Sequence, residues 1–333
     1  MRRNPGIFKP VMEQNKNIDW ALGAFSALKS GMAKAIVGHE ELIEALSLAL
    51  VSGQHVLLEG VPGVAKTLAV RTLGRLMSLE FSRIQFTPDL LPSDLVGTQI
   101  YNPQTGQFSV HTGPVFANLV LADEINRAPA KVQSALLESM EEKQVTLGGA
   151  THALPKPFMV LATQNPIEQE GTYPLPEAQL DRFMFKILVG YPSRDEELAV
   201  LRLKKEADPE IYPVLTGEDI AALRELAATV HVDPKIEEYI VDLVRTTRNP
   251  GAIDPELAET VRWGAGPRAV VFFLRAARAR ALMQGRSFVL PADVQAVAPW
   301  ILRHRILLSY EALADGMTPD QAVARIVAGV PAP

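Results

Sequence analysis

The residues best able to do chemistry lie in one stretch, LLEGVPGVAKTLAV, from Leu57 to Val70. It follows the G-x-x-x-x-G-K-[ST] pattern of a phosphate-binding loop, except that Ala65 stands where a glycine should precede the lysine. Such a loop turns backbone N–H groups and a helix N-terminus toward phosphate. Gly60 and Gly63 supply backbone freedom and close approach. Lys66 is placed to reach the β- and γ-phosphates, and the Thr67 hydroxyl to ligate Mg²⁺. The candidate nucleotide contacts are Gly60, Val61, Pro62, Gly63, Val64, Ala65, Lys66, Thr67 and Leu68. Ala65 is expected to keep helical φ/ψ, because its Cβ disfavours positive φ; left-handed geometry should fall on Gly63.

Four further segments offer partners for that loop. In NLVLADEINRAP an apolar run ends in Asp123-Glu124. Asp123 is suited to the Mg²⁺ shell and Glu124 to deprotonating an attacking water. Helix capping would explain an isolated Asp-Glu pair equally well, but downstream of a phosphate loop the pair reads as catalytic. Asn165, in LATQNP, is either a turn residue before Pro166 or a neutral amide that positions water near a γ-phosphate. Arg182, in EAQLDRFMFK, suits a solvated or ion-paired surface residue. In an oligomeric ATPase it could instead reach a neighbouring subunit's γ-phosphate as an arginine finger. Arg268, in GAGPRAVVFFLRAARARAL, opens a helix on which Arg275 shares nearly the same face. It fits a solvated face, a nucleic-acid patch, or a residue that touches nucleotide from a second domain.

The elements that must position these groups alternate. HVLLE, NLVLAD, FMVLAT and FKILV are short, nearly continuous apolar runs, with FSRIQF a weaker fifth. That pattern suits parallel strands buried on both faces. Between them, Lys131–Glu142 carries Val132, Ala135, Leu136 and Met140 on one helical stripe. Alternating strands and helices predict a doubly wound α/β domain. Two β-hairpins interrupt it, at Gly97–Gly113 and Lys143–Pro157. Beyond Gly190 helix-start signals take over: Ser193 with Glu196, Thr216 with Asp219, and Pro291 in a first turn. The expected organisation is a loose arm over 1–15, an α/β nucleotide-binding core over 16–190 and an all-helical domain over 191–333, joined near Tyr191-Pro192.

Composition narrows the classes. The chain has 333 residues, 47% of them hydrophobic, enough for a large core. It has no cysteine, which excludes disulfides and thiolate metal sites. The six histidines show no H-x-x-x-H pair, which disfavours a dedicated zinc site. A net charge of -5 weighs against nucleic acid as partner. No apolar run is long enough to span a bilayer, so no membrane insertion and a cytoplasmic location are expected.

Taken together, GVPGVAKT, LADEINRAP, ATQNP, EGTYPLPEAQLDRF and GAGPRA resemble the MoxR group of AAA+ ATPases over about residues 30–320. The alanine before the lysine belongs to the resemblance, since MoxR-like loops often read G-V-P-G-x-A/G-K-T. The resemblance implies a P-loop AAA+ core with a parallel five-stranded sheet and a helical lid. The first hairpin would be the insert in the second core helix; the other would precede sensor one. Gly60, Gly63, Lys66 and Thr67 match Walker A, and Asp123 and Glu124 match Walker B. Asn165 matches sensor one, Arg182 the arginine finger, and Arg268 sensor two. Val37-Gly38 match the segment that packs near adenine. The cofactors implied are ATP and Mg²⁺. The assembly implied is a homo-oligomeric ring, commonly hexameric, with Arg182 acting in trans. The client implied carries a von Willebrand A domain. Three other readings are a magnesium-chelatase-like motor subunit, a nucleic-acid motor, and a binding-only scaffold; the intact acids and lysine argue against the last.

Overall fold

The computed structural model describes residues 16–61, 63–166, 171–203 and 210–333. The expected arm over 1–15, and Pro62 of the phosphate loop, lie outside the described residues.

Two helices, α1 (Ile18–Ala33) and α2 (Glu40–Ser52), lead into β1 (Val56–Glu59). The α/β alternation then runs α3 (Lys66–Leu76), β2 (Phe81–Gln85), α4 (Pro92–Val96), the hairpin β3 (Gly97–Asn102) and β4 (Gln107–Thr112), and β5 (Leu119–Asp123). It continues with α5 (Ala130–Glu142), a second hairpin β6 (Gln144–Leu147) and β7 (Ala150–Ala153), β8 (Met159–Gln164), the short α6 (Glu177–Leu180) and β9 (Phe185–Leu188). Five strands form one sheet in the order β2-β5-β8-β1-β9, and every pairing is parallel.

The apolar runs are continuous because both faces of this sheet are covered. Val56, Leu58, Leu119, Leu121, Met159 and Leu161 enter one core with α1, α2 and α3. The residues between them, Leu57, Val120, Ala122, Val160 and Ala162, enter a second core with α5 on the other face. FSRIQF reads weakly because β2 is an edge strand with only Ile84 fully buried. Both hairpins form where the turn signals put them. All of β4 is exposed, and so is β3 apart from its first residue, Gly97.

After β9 the chain is helical, as expected: α7 (Arg194–Leu203), α8 (Gly217–Thr229), α9 (Pro234–Thr246), α10 (Pro255–Thr260), α11 (Arg268–Met283), α12 (Pro291–Leu302), α13 (Tyr310–Ala314) and α14 (Pro319–Gly329). The caps read from sequence are present: Thr216 and Asp219 exchange bonds at the start of α8, and Ser193 and Glu196 do so at α7. The sequence signals missed one feature, a two-stranded antiparallel ladder between β10 (Val261–Trp263) and β11 (Leu307–Leu308), too short to leave a pattern. Lid and core share one apolar cluster, in which Leu223, Phe273 and Trp300 of the lid join Phe25, Leu46 and Leu50 of α1 and α2. Among the described residues no helix is long and apolar enough to cross a membrane.

Candidate nucleotide site

Parallel strands deliver their following loops to one edge of the sheet, and the candidate phosphate loop lies on that edge. Gly60 directly follows β1, and its N–H donates to the Gln164 carbonyl at 3.2 Å. A Cβ on Gly60 would stand 2.3 Å from the Val189 carbonyl oxygen, so only glycine lets the loop leave the sheet beside β9. Gly63 has φ 87 and open space around a would-be Cβ, the left-handed residue expected there. Val64 is buried and anchors the loop to the core.

Ala65 differs from expectation. It sits at φ 58, ψ 16, in the left-handed region. The reason is that α3 begins at Lys66, so Ala65 is the residue before the helix rather than part of its first turn. Alanine, the smallest residue with a Cβ, occupies that conformation at a cost of about 1–2 kcal/mol.

Lys66 folds back on the loop and donates to the Gly60 carbonyl. Burial pushes its ammonium below the usual lysine range, opposed by the charges of Asp123, Glu124 and Glu59. Thr67 follows in the first turn of α3, with Leu68 packed against the core.

The two acids lie at the end of β5. Thr163 Oγ1 donates to Asp123 Oδ1 at 2.6 Å. Arg83, from β2, donates to Asp123 Oδ2 through Nε at 3.0 Å and Nη2 at 2.5 Å. Glu124 has φ 57, ψ 51, a second non-glycine residue in the left-handed region. Strained backbone of this kind concentrates at functional sites. The Glu124 carboxylate accepts from Gln85 Nε2 at 2.8 Å and Arg127 Nη1 at 3.1 Å, and its N–H donates to Thr163 Oγ1 at 2.8 Å. Asn165 follows β8, buried, on the same edge.

Oxygen ligands from one carboxylate and one hydroxyl, with the rest of the shell left to water and phosphate, suit Mg²⁺. Thr67 and Asp123 are the residues that would hold it. No group of three or more His, Cys, Asp or Glu able to hold a metal is found among the described residues. Val37 and Gly38 link α1 to α2. Gly38, at φ 72, holds a left-handed backbone that a side chain would strain. Next to this link is a cleft of about 170 Å³ lined by His39, Leu42, Val189, Tyr191 and Pro192 among others.

The two arginines are elsewhere. Arg182 precedes β9, whose neighbouring backbone is fixed by Met184 N–H donating to the His55 carbonyl at 2.9 Å, at the start of β1. That is the opposite edge of the sheet from Lys66, Asp123 and Asn165. Arg268, at the start of α11, stands beside Arg182. Glu141, near the end of α5, is ion-paired with Arg182 Nη2 at 3.1 Å through one carboxylate oxygen and accepts from Arg268 Nη2 at 2.7 Å on the other. Arg268 also lies 3.5 Å from Asp181. Asp181 is held in turn by the buried Arg305, whose Nε donates to it at 2.7 Å.

Of the residues picked from sequence, the structure brings Gly60, Gly63, Lys66, Thr67, Asp123, Glu124 and Asn165 to one edge, and Arg182 with Arg268 to the other. Sequence reading missed Arg83, Gln85, Arg127, Thr163 and Glu141. For Arg83 and Gln85 a signal existed: they alternate with Ile84 on a strand facing the two acids.

Comparisons with known proteins match two parts of the chain. Residues 55–185 match the model of the ATPase family associated with various cellular activities, and 256–326 match the AAA lid domain. A crystal structure from Cytophaga hutchinsonii, assigned as an ATPase, superposes with TM-score 0.89 at 47% identity, covering 95% of this chain and 97% of that one. The fold is thus that of an AAA+ ATPase. Chaperone MoxR1 of Mycobacterium tuberculosis is 50% identical over 90% of this chain and 80% of its own length. Protein MoxR of Methylorubrum extorquens is 33% identical over 95% and 96%. The chain belongs to the MoxR family of AAA+ ATPases.

Proposed function

We propose that this chain forms a ring, hexameric as is common for its family, that hydrolyses ATP to ADP and phosphate to remodel or mature a client protein. In this reading Lys66 and the loop amides bind the triphosphate. Thr67 and Asp123 hold the metal ion, which supplies charge neutralisation at the phosphates. Glu124 takes the proton of the attacking water, and Asn165 orients that water. Arg182 and Arg268 complete the site of the adjacent copy.

The observation that carries the reading is the separation of the arginines from their own loop. β1 alone spans roughly 13 Å between the two edges at about 3.3 Å per residue. A chain that keeps its two candidate γ-phosphate arginines at the far end of its sheet needs a neighbour to close the site. The chaperone reading rests on the relative described as Chaperone MoxR1. A von Willebrand A-domain client is carried by the family resemblance.

The test is complementation. Lys66→Ala disables the loop and leaves the arginines; Arg182→Ala does the reverse. Each alone is inactive. Random mixing in a cyclic assembly pairs an intact loop with intact arginines at about a quarter of interfaces, so about a quarter of wild-type turnover returns. No recovery on mixing refutes the shared site. A Glu124→Gln chain loaded with ATP then serves to capture the client.

A further inference from the structure

Two guanidinium groups from different domains seldom converge on one exposed point without an anion to collect them. Here Arg182 comes from the segment before β9 and Arg268 from the first turn of α11, yet both reach the Glu141 carboxylate: Arg182 Nη2 pairs with one oxygen at 3.1 Å and Arg268 Nη2 donates to the other at 2.7 Å. Two guanidinium groups set against the two oxygens of one anion is an arrangement that a phosphate can take over from a carboxylate. All three side chains are partly open to solvent, so the anion between the guanidiniums is replaceable: Glu141 is 40% exposed, Arg182 31% and Arg268 38%. The backing is not replaceable. Asp181 steadies Arg268 and is locked by Arg305, which is 2% exposed. Lys143, two residues on from Glu141, is pushed below the usual lysine range by burial and then by Arg224, Arg275 and Lys156.

We propose that Glu141 is an internal stand-in for phosphate: it keeps Arg182 and Arg268 converged in the free chain and gives them up when the phosphates of a neighbouring copy's nucleotide enter between them. This rests on the reading that the two arginines serve the adjacent copy, and adds a positioning residue that delays the arginines' engagement until a nucleotide-loaded neighbour competes for them.

The test reads the clamp without turnover. In a full-length Lys66→Ala chain, whose own loop has lost its phosphate-binding lysine, binding of inorganic tripolyphosphate is measured by calorimetry at low salt. Adding Glu141→Gln removes two exposed ion pairs, each a modest competitor, and tightens tripolyphosphate binding by about two- to thirtyfold. Arg268→Ala added to that chain abolishes the gain, and Glu141→Asp in place of Gln keeps the weak binding of the parent. In the otherwise unaltered chain, Glu141→Gln moves the ATPase onset to lower protein concentration. Unchanged tripolyphosphate binding in the Glu141→Gln chain, or a gain that survives Arg268→Ala, overturns the proposal. Should complementation between Lys66→Ala and Arg182→Ala fail while the tripolyphosphate gain persists, the shared site falls and the exchangeable clamp stands.

Discussion

Ala65 gives the sharpest test of the loop geometry, because two conformations predict opposite orders for two substitutions. At φ 58, ψ 16 alanine pays about 1–2 kcal/mol that glycine would not. Ala65→Gly recovers this in the folded state and loses about 0.4–1 kcal/mol through the greater freedom of the unfolded chain. The net is between neutral and roughly 1.6 kcal/mol of added stability. Ala65→Val puts a β-branched side chain at positive φ and costs about 1–3 kcal/mol. The glycine variant should therefore exceed the valine variant by about 2 kcal/mol. Were Ala65 the first residue of the helix, glycine would cost about 1 kcal/mol and valine no more than about 0.7. The measurement is urea unfolding of both variants without nucleotide, with slopes checked for equality so that midpoints can be compared. A valine variant as stable as the glycine variant, or more so, would refute the left-handed assignment and with it the account of how the loop turns.

Three other outcomes follow from contacts already described. Glu124→Gln should bind ATP near normally and hydrolyse it about 10²–10⁴-fold more slowly, read by comparing nucleotide binding with single-turnover rates. Arg305→Met removes the partner of Asp181 and the bonds to the carbonyls of Phe183 and Met184, and should cost about 3–5 kcal/mol in denaturant unfolding. Acid should destabilise the fold early. Burial holds the His55 imidazole down to about 3 and His304 well below the ordinary value, so both stay neutral when folded and gain protons when unfolded. Their stabilisation is full above the unfolded value near 6.5 and falls by up to about 1.4 kcal/mol per pH unit per imidazole below it. Unfolding free energies between about pH 6 and 5 check this, with His55→Asn expected to remove one imidazole's share of the slope.

How much of this was legible follows from the range of the interactions. Three strands, β1, β5 and β8, announced themselves because burial on both faces leaves their runs almost wholly apolar, and β9 was legible although Lys186 interrupts it. The fifth, β2, was faint because Arg83 and Gln85 face the acids rather than the core. The loop, the acids and Asn165 were readable because short spacing along the chain sets their chemistry. Left-handed backbone at Ala65 and Glu124 was not, since neither residue type advertises it. The place of Arg268 was least readable. It depends on where the lid docks, and its partner Glu141 is 127 positions away. Sequence could nominate the arginine but not the edge of the sheet it would occupy.

The single apolar cluster shared by lid and core bears on how the chain divides into interchangeable parts. Arg224 donates twice to the Leu50 carbonyl, at 3.0 and 2.9 Å, Arg280 donates to Glu44 at 3.1 Å, and Trp300 to Glu41 at 2.5 Å. All three acceptors belong to α2. Helices at the start of the chain thus finish the interior of a domain encoded at its end. A chimera that borrows only residues 191–333 from a relative would inherit a lid with its inner wall missing. The smallest unit that can be exchanged whole is that segment together with Ile18–Ser52, two stretches separated in sequence by the nucleotide-binding sheet they jointly cover.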